Sequence, residues 1–394
     1  NIKSKFPVFK KNPKLVFLDT AASSLKVDQM IDATNECYTN QYANIHRGNY
    51  ELSAKLTKKY EDARHDVADY LNVSYKNIIF VKSATEGINL ISSSMAKSYL
   101  EEGDEIIISF LEHHANIIPW HLVDKKIKII PLNINREGEI VYEDLKEKIN
   151  QKTKLISLTH MSNVTGSITN FDKIKEISKN KNIPMLIDGC QFAPHKKVNL
   201  KELNPDFYVF SAHKLYGPSG LGILYMKDKW IELFPPYQGG GQMIHDVDID
   251  KSSYAEGYEK FEAGTPPIAQ VIGFSSSIDF MKKTNPDLIY NHEMGLHNYA
   301  LEKLNKVKNI KIYGSSKNKG GIISFNIDGI HNSDLGAMLD KKNIAIRTGH
   351  HCCQPLMKFY DITGTSRVSF GVYNNVDDVD YLIDSINEIT KILL

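Results

Sequence analysis

Short apolar runs alternate with amphipathic helical stretches through most of this chain, and that alternation limits its fold more than any other feature. Ile78–Val81, Glu105–Ser109, Lys128–Pro131, Leu155–Leu158, Pro184–Ile187 and Phe207–Phe210 read as strands. Stretches such as Phe171–Ser178, lying between them, carry apolar residues at helical spacing. Strands and helices in strict succession build an α/β domain around a mostly parallel sheet. From about Pro286 the style changes. A helical pattern from Leu288 to Leu304 leads to shorter strands, Ile310–Tyr313 and Gly321–Asn326, and then to a helix from Val376 to Leu394. This reads as a smaller α+β domain. The expected division is a large domain over 18–284 and a small one over 285–394, with residues 1–17 packing against the small domain.

A chain of 394 residues suffices for two or three cores. Its net charge of +1 leaves no basic field for nucleic acid or a membrane surface. No apolar run is long enough to cross a bilayer, and the first residues form no secretory signal. The first residue is not Met, so a removed tag, tail or transit peptide stays open. Four cysteines, two of them adjacent, make a poor disulfide framework and suit a reducing compartment. The expected location is the cytoplasm of a bacterium, or an organelle such as the plastid stroma if a transit peptide was removed.

The chemistry starts at Lys214. The strand Phe207–Phe210 runs into Ser211-Ala-His213-Lys214 and then a loop rich in Gly and Pro. A lysine at a strand mouth, in dry aromatic surroundings, loses its proton readily enough to form a Schiff base with a carbonyl cofactor. Upstream, the strand ending at Ile187 leads into Asp188-Gly-Cys-Gln191. Pyridoxal phosphate (PLP) needs this pair: a lysine for its aldehyde and a carboxylate to keep its ring nitrogen protonated. After Ile78–Val81, the turn Lys82-Ser-Ala-Thr85-Glu-Gly87 opens a helix, which gathers free N–H groups and the positive helix end at one point. Thr85 there is either a phosphate donor or an ordinary helix cap. Ser211 and His213 could add donors from the opposite side.

His113 follows the strand Glu105–Ser109 and could stack on a pyridine ring and relay protons. His114 is expected to make only a structural hydrogen bond. Gln191 could donate to a phenolic oxygen, and Asn163, beyond another strand end, could do the same or hold substrate. Ligands of open α/β sheets bind at carboxyl strand ends, so these positions point to one pocket.

The run Arg347-Thr-Gly-His350-His351-Cys352-Cys353-Gln-Pro355 puts two cysteines beside two histidines and an arginine. Nearby positive charge activates a thiol, and one cysteine of this pair reads as reactive. A zinc site and a vicinal disulfide compete with that reading, but both are strained at this spacing. Cys37 and Cys190 read as buried small hydrophobes. Arg367, in a strand-like run, could clamp a carboxylate through two parallel bonds.

Taken in order, Asp19-Thr-Ala-Ala-Ser23, His46-Arg-Gly48, Ala84-Thr-Glu-Gly-Ile-Asn89, Glu112-His-His-Ala-Asn116, Asp188-Gly-x-Gln191, Ser211-x-His-Lys-Leu-Tyr-Gly-Pro218, Phe261-Glu-Ala-Gly-Thr-Pro266 and Arg347-Thr-Gly-His-His-Cys352 resemble the SUF-type (group II) cysteine desulfurases. These are class V aminotransferases of PLP fold-type I. The resemblance implies a large domain with a mostly parallel seven-stranded sheet, a small α+β domain carrying the catalytic cysteine, and a homodimer. It implies that Lys214 carries PLP, Asp188 pairs its ring nitrogen and His113 stacks on the ring. Thr85, Ser211 and His213 would take the phosphate, Gln191 the phenolate, and Thr265 the partner subunit's phosphate. Arg367, Arg347 and Asn163 would hold the carboxylate of L-cysteine, with L-selenocysteine as the alternative substrate. Cys352 would take the sulfur as a persulfide and pass it to a SUF-type acceptor protein. The short cysteine loop implies slow turnover without that acceptor. Position 353 departs from the pattern with a second cysteine, and Cys190 stands where alanine is common.

Overall fold

The first strand, β1 (Val16–Phe17), belongs to the far end of the chain, and the next seven build the main sheet. These are β2 (Ile78–Val81), β3 (Glu105–Ser109), β4 (Lys128–Leu132), β5 (Thr153–Thr159), β6 (Met185–Asp188), β7 (Phe207–Ser211) and β8 (Gly222–Met226). The computed structural model describes residues 2–394, so residue 1 of the expected N-terminal segment lies outside it. Spatial order is β2-β8-β7-β6-β5-β3-β4. Strand β8 runs antiparallel to both neighbours, and the other adjacent pairs are parallel. The six remaining strands therefore share one direction and bring their carboxyl ends to one edge. Strand β8 escaped the sequence reading because its Gly-Pro lead-in looked like loop.

Alternation along each strand feeds two cores. Ile78, Phe80, Ile107, Met185, Ile187, Tyr208 and Phe210 pack on one face. Ile79, Val81, Ile106, Ile108, Leu186, Phe207 and Val209 pack on the other. With both faces covered, these strands are nearly continuous apolar runs. Long helices close the faces, among them Glu51–Leu71, Ala84–Ser98 and Ile268–Thr284.

Two short strands, β9 (Ile244–Val247) and β10 (Ser252–Tyr254), form an exposed antiparallel hairpin. Beyond it come β11 (Ile310–Tyr313), β12 (Ile322–Ile327), β13 (Ile344–Ala345), β14 (Arg347–Gly349) and β15 (Thr365–Ser369). Four of them make an antiparallel sheet in the order β11-β12-β15-β14. Its apolar face packs on the helices Pro286–Leu304 and Val376–Leu393 as a third core. The N-terminal segment joins this end: β1 pairs in parallel with β13, and Ser369 N–H donates to Leu18 O at 2.8 Å. Asp19 is thereby placed beside β15.

Candidate active site

One end of the site is the N-terminus of the helix Ala84–Ser98. Its cap is Ser83, whose hydroxyl accepts from Glu86 N–H at 3.3 Å. The cap is therefore not Thr85, which leaves the Thr85 hydroxyl exposed in the cavity. Ser211, the last residue of β7, accepts from Ala84 N–H at 2.9 Å and keeps its own proton to donate. Glycine at 222 allows this close approach: a Cβ there would lie 2.4 Å from the Ser83 backbone. Across from these groups His213 Nδ1 lies 3.1 Å from Ser23 Oγ. Burial, and then the charges of Lys214 and Lys26, depress the His213 imidazole to about 4. Hydroxyls, orphan N–H groups and a positive helix end at one place form an anion cradle.

Lys214 ends the tight turn Ala212–Lys214 directly after β7, half-buried. Asp188, at the end of β6, is buried, and its Oδ1 accepts from Cys190 N–H at 3.0 Å. Cys190 departs from the expected buried hydrophobe. It is half-buried in the cavity wall, because it lies just past the strand end where the sheet stops and open space begins. Burial, helped by Asp188, pushes its thiol up to about 12. Cys37 is buried as expected.

His113 starts the turn after β3, and its Nδ1 accepts from Ala115 N–H at 3.1 Å, which leaves the proton on Nε2. Burial first, then the Lys214 charge, lower its pKa to about 4, so the ring is neutral at physiological pH. Beneath it lies Glu112, a residue that sequence reasoning passed over. Its buried carboxylate accepts from Ser109 Oγ (2.6 Å), Asn116 Nδ2 (2.7 Å) and Thr159 N–H (3.0 Å), and so ties this turn to β5. Burial outweighs those three bonds and pushes the carboxyl up to about 7. His114 does make a structural bond, accepting from Gln354 N–H at 3.1 Å. Gln191 donates to Ala21 O at 2.8 Å.

The other end of the site is cationic. Arg367 is fully buried in β15, donating to Asn163 O (2.9 Å) and to Asp19 Oδ1 (3.0 Å), while its Nε has no partner among the described residues. Burial lowers its pKa to about 10, against the pull of Asp19. Asn163 in turn donates to His351 O at 2.7 Å.

Gly349 ends β14, and the chain then passes through His351 and Cys352, both at positive φ (52° and 55°). Two successive side chains in the left-handed region carry strain, and surrounding bonds hold them there. Cys352 O accepts from His114 N–H at 2.7 Å, and Cys352 N–H donates to His350 Nδ1 at 3.1 Å. The two adjacent thiols diverge. Cys352 faces the cavity, whereas Cys353 is buried with Sγ 3.2 Å from Glu112 O. Burial, then Glu112, raise the Cys353 thiol far above its usual range. His351 is a second residue missed from sequence, although it directly precedes Cys352. It donates from Nε2 to Thr365 Oγ1 at 2.9 Å, and its buried Nδ1 has no partner among the described residues.

All these ends face one cavity of about 250 Å³. Thr85, His113, Asn163, Asp188, Gln191, Ser211, His213, Lys214, Arg347, Cys352 and Arg367 line it together. Thr265 does not. It is exposed, in a segment whose Gly264 N–H donates to Gly241 O at 2.8 Å. The glycine cluster at 239–241 thus passes close to that segment. A carboxylate, a nucleophilic amine and an anion cradle in one cavity have the donor set that PLP requires, and the arginine pair offers a second anion site.

Comparison with known proteins agrees. A cysteine desulfurase of Serratia proteamaculans is 41% identical over all of this chain and 98% of its own length. A probable cysteine desulfurase of Halalkalibacterium halodurans is 41% identical over 97% of this chain and 95% of its own. Among solved structures, the apo cysteine desulfurase of Thermococcus onnurineus NA1 superposes with a TM-score of 0.95 at 33% identity, covering 100% of this chain and 98% of that one. The aminotransferase class-V profile matches residues 16–382, and the chain belongs to the aminotransferase class-V family.

Proposed function

We propose that this chain is a PLP-dependent cysteine desulfurase that converts L-cysteine to L-alanine and takes the sulfur onto Cys352. One observation carries the reading: Lys214, Asp188, the arginine pair and a cavity-facing cysteine line the same cavity. Relatives named cysteine desulfurases, matched over nearly their whole length, support it.

PLP, when bound, supplies an electron sink for charge developed at the substrate Cα. Thr85, Ser211, His213 and the helix end would take its phosphate, Asp188 would keep a proton on its ring nitrogen, and Gln191 would donate to its phenolate. Arg367 and Arg347, with Asn163, orient the substrate carboxylate. Lys214 would hold the cofactor's aldehyde, and its free amine would remove the substrate's Cα proton. His113, neutral with its proton on Nε2, would lie against the ring and pass a proton to the leaving fragment. Cys352 attacks the substrate sulfur: an S–S bond forms, the C–S bond breaks, and its electrons stay with carbon to end as alanine.

The working unit is a homodimer in which Thr265 reaches the partner's phosphate. Its exposure outside its own cavity supports this. The chain divides at 284/285, with β1 paired to the small domain while Phe6 also packs on Tyr216 and Phe280 of the large one. A protein acceptor of the SUF type receives the sulfur, and the bacterial relatives favour a bacterial cytosol.

The test is alanine and sulfide release from L-cysteine with reductant, repeated with L-selenocysteine. Equal alanine and sulfide, absent in Lys214→Ala, is the expected result. Alanine formed only with a keto-acid acceptor would mark a transaminase instead.

A further inference from the structure

The carbonyl of His213, one peptide before Lys214, receives four donors. They are Ser24 N–H (3.1 Å), Ser23 Oγ (3.2 Å), Ser24 Oγ (3.0 Å) and Lys26 Nζ (2.8 Å). A carbonyl oxygen offers two lone pairs, so this crowding is unusual. The same segment also holds the far side of the lysine, since Tyr216 N–H donates to Ser24 Oγ at 2.8 Å. Residues near the start of the chain thus grip both flanks of Lys214, about 190 positions away.

Lys26 is the costly member of this grip. It is half-buried, and no carboxylate lies within ion-pair distance of it among the described residues. Desolvation lowers its pKa to about 8. A lysine that gives up hydration for a backbone carbonyl, with no ion pair in return, needs another reason to be there.

We propose that Lys26 is a positioning residue for the cofactor. It fixes the peptide that presents Lys214, and it places a positive charge behind His213 at the anion cradle. It does not line the cavity and acts through the His213–Lys214 peptide. Its charge adds to burial and to the Lys214 charge in holding the His213 ring neutral. The proposal rests on Lys214 being the PLP-bearing lysine.

The test compares Lys26→Met and Lys26→Arg with the parent. PLP affinity is measured by equilibrium dialysis, covalent attachment at Lys214 by borohydride reduction and peptide mapping, and stability by melting of the apo-protein. Losing one charge-assisted bond should weaken PLP binding in Lys26→Met by about tenfold. The pH titration of the bound cofactor's absorbance should also shift. Lys26→Arg should restore both, with the apo-protein melting unchanged throughout. Parental affinity and titration in Lys26→Met overturn the proposal. So does a loss of affinity that tracks a lowered melting temperature and that arginine does not rescue. If borohydride fails to label Lys214 in the parent itself, the PLP reading falls instead.

Discussion

Arg347 and Arg367 face each other directly across β14 and β15, two cations on one antiparallel pair. Like charges opposed on a ladder are destabilising unless an anion lies between them. Asp19 supplies one carboxylate, 3.0 Å from Arg367, and the cavity has room for the carboxylate of an amino-acid substrate. Arg367→Ala should therefore cost about 2 kcal/mol of substrate binding, roughly thirtyfold in KM for L-cysteine. Arg367→Lys keeps the charge but loses the planar fork, and should fall between. Steady-state alanine release measures both; an unchanged KM in Arg367→Ala would leave Arg347 as the clamp.

Cys353 is separated from the chemistry by its direction and its burial. Its Sγ points at the carbonyls of Phe110, Leu111 and Glu112. Cys353→Ala should lower stability by about 1 kcal/mol, as the deletion of one small buried group does, while turnover stays near parental. Urea unfolding and alanine release decide it: lost turnover at full stability would place Cys353 in the reaction.

Gly222 tests the anion cradle. Gly222→Ala puts a Cβ against Ser83 and Ala84, so the helix N-terminus must move. Overpacking of this kind costs about 1–3 kcal/mol, and some tenfold of PLP affinity should go with it. Dialysis of the holoenzyme reads the effect, and unchanged retention would detach the helix end from phosphate binding.

Acid should destabilise the fold between pH 6.5 and 4.5. Burial holds His160 at about 3 against an ordinary 6.5, so on acidification the unfolded chain takes up the proton first. The contribution of His160 is full above 6.5 and is lost toward 3, at about 1.4 kcal/mol per pH unit. His113, His213 and His297, each near 4, act in the same sense. Glu112, raised to about 7, acts in the opposite sense: its contribution is present below 4.5 and lost as pH rises through 7. Several histidines outweigh one glutamate. Urea midpoints should fall from pH 7 to pH 5, less steeply in His160→Gln; a flat profile would contradict the neutral buried imidazoles.

The strand pattern exposed the main sheet because both of its faces are buried, so apolar runs and strands coincide. Lys214, Asp188 and His113 could be read because each lies at or just past a strand end. What could not be read depends on pairing and local backbone. Arg347 meets Arg367 only through the register of β14 and β15. Ser83 rather than Thr85 is the cap because β2 stops at Val81, a boundary that propensity does not fix to one residue. The divergence of Cys352 from Cys353 follows the positive φ of His351 and Cys352, which no side-chain pattern announces.

The central claim is that Lys214 chemistry delivers sulfur to Cys352. Peptide mass spectrometry after a single turnover with L-cysteine, without reductant, tests it most directly. One extra sulfur on the peptide at Cys352, matched by one alanine per chain and absent from Cys352→Ser, is the predicted result. Extra sulfur on Cys353 or Cys190, or full alanine release by Cys352→Ser, would contradict it.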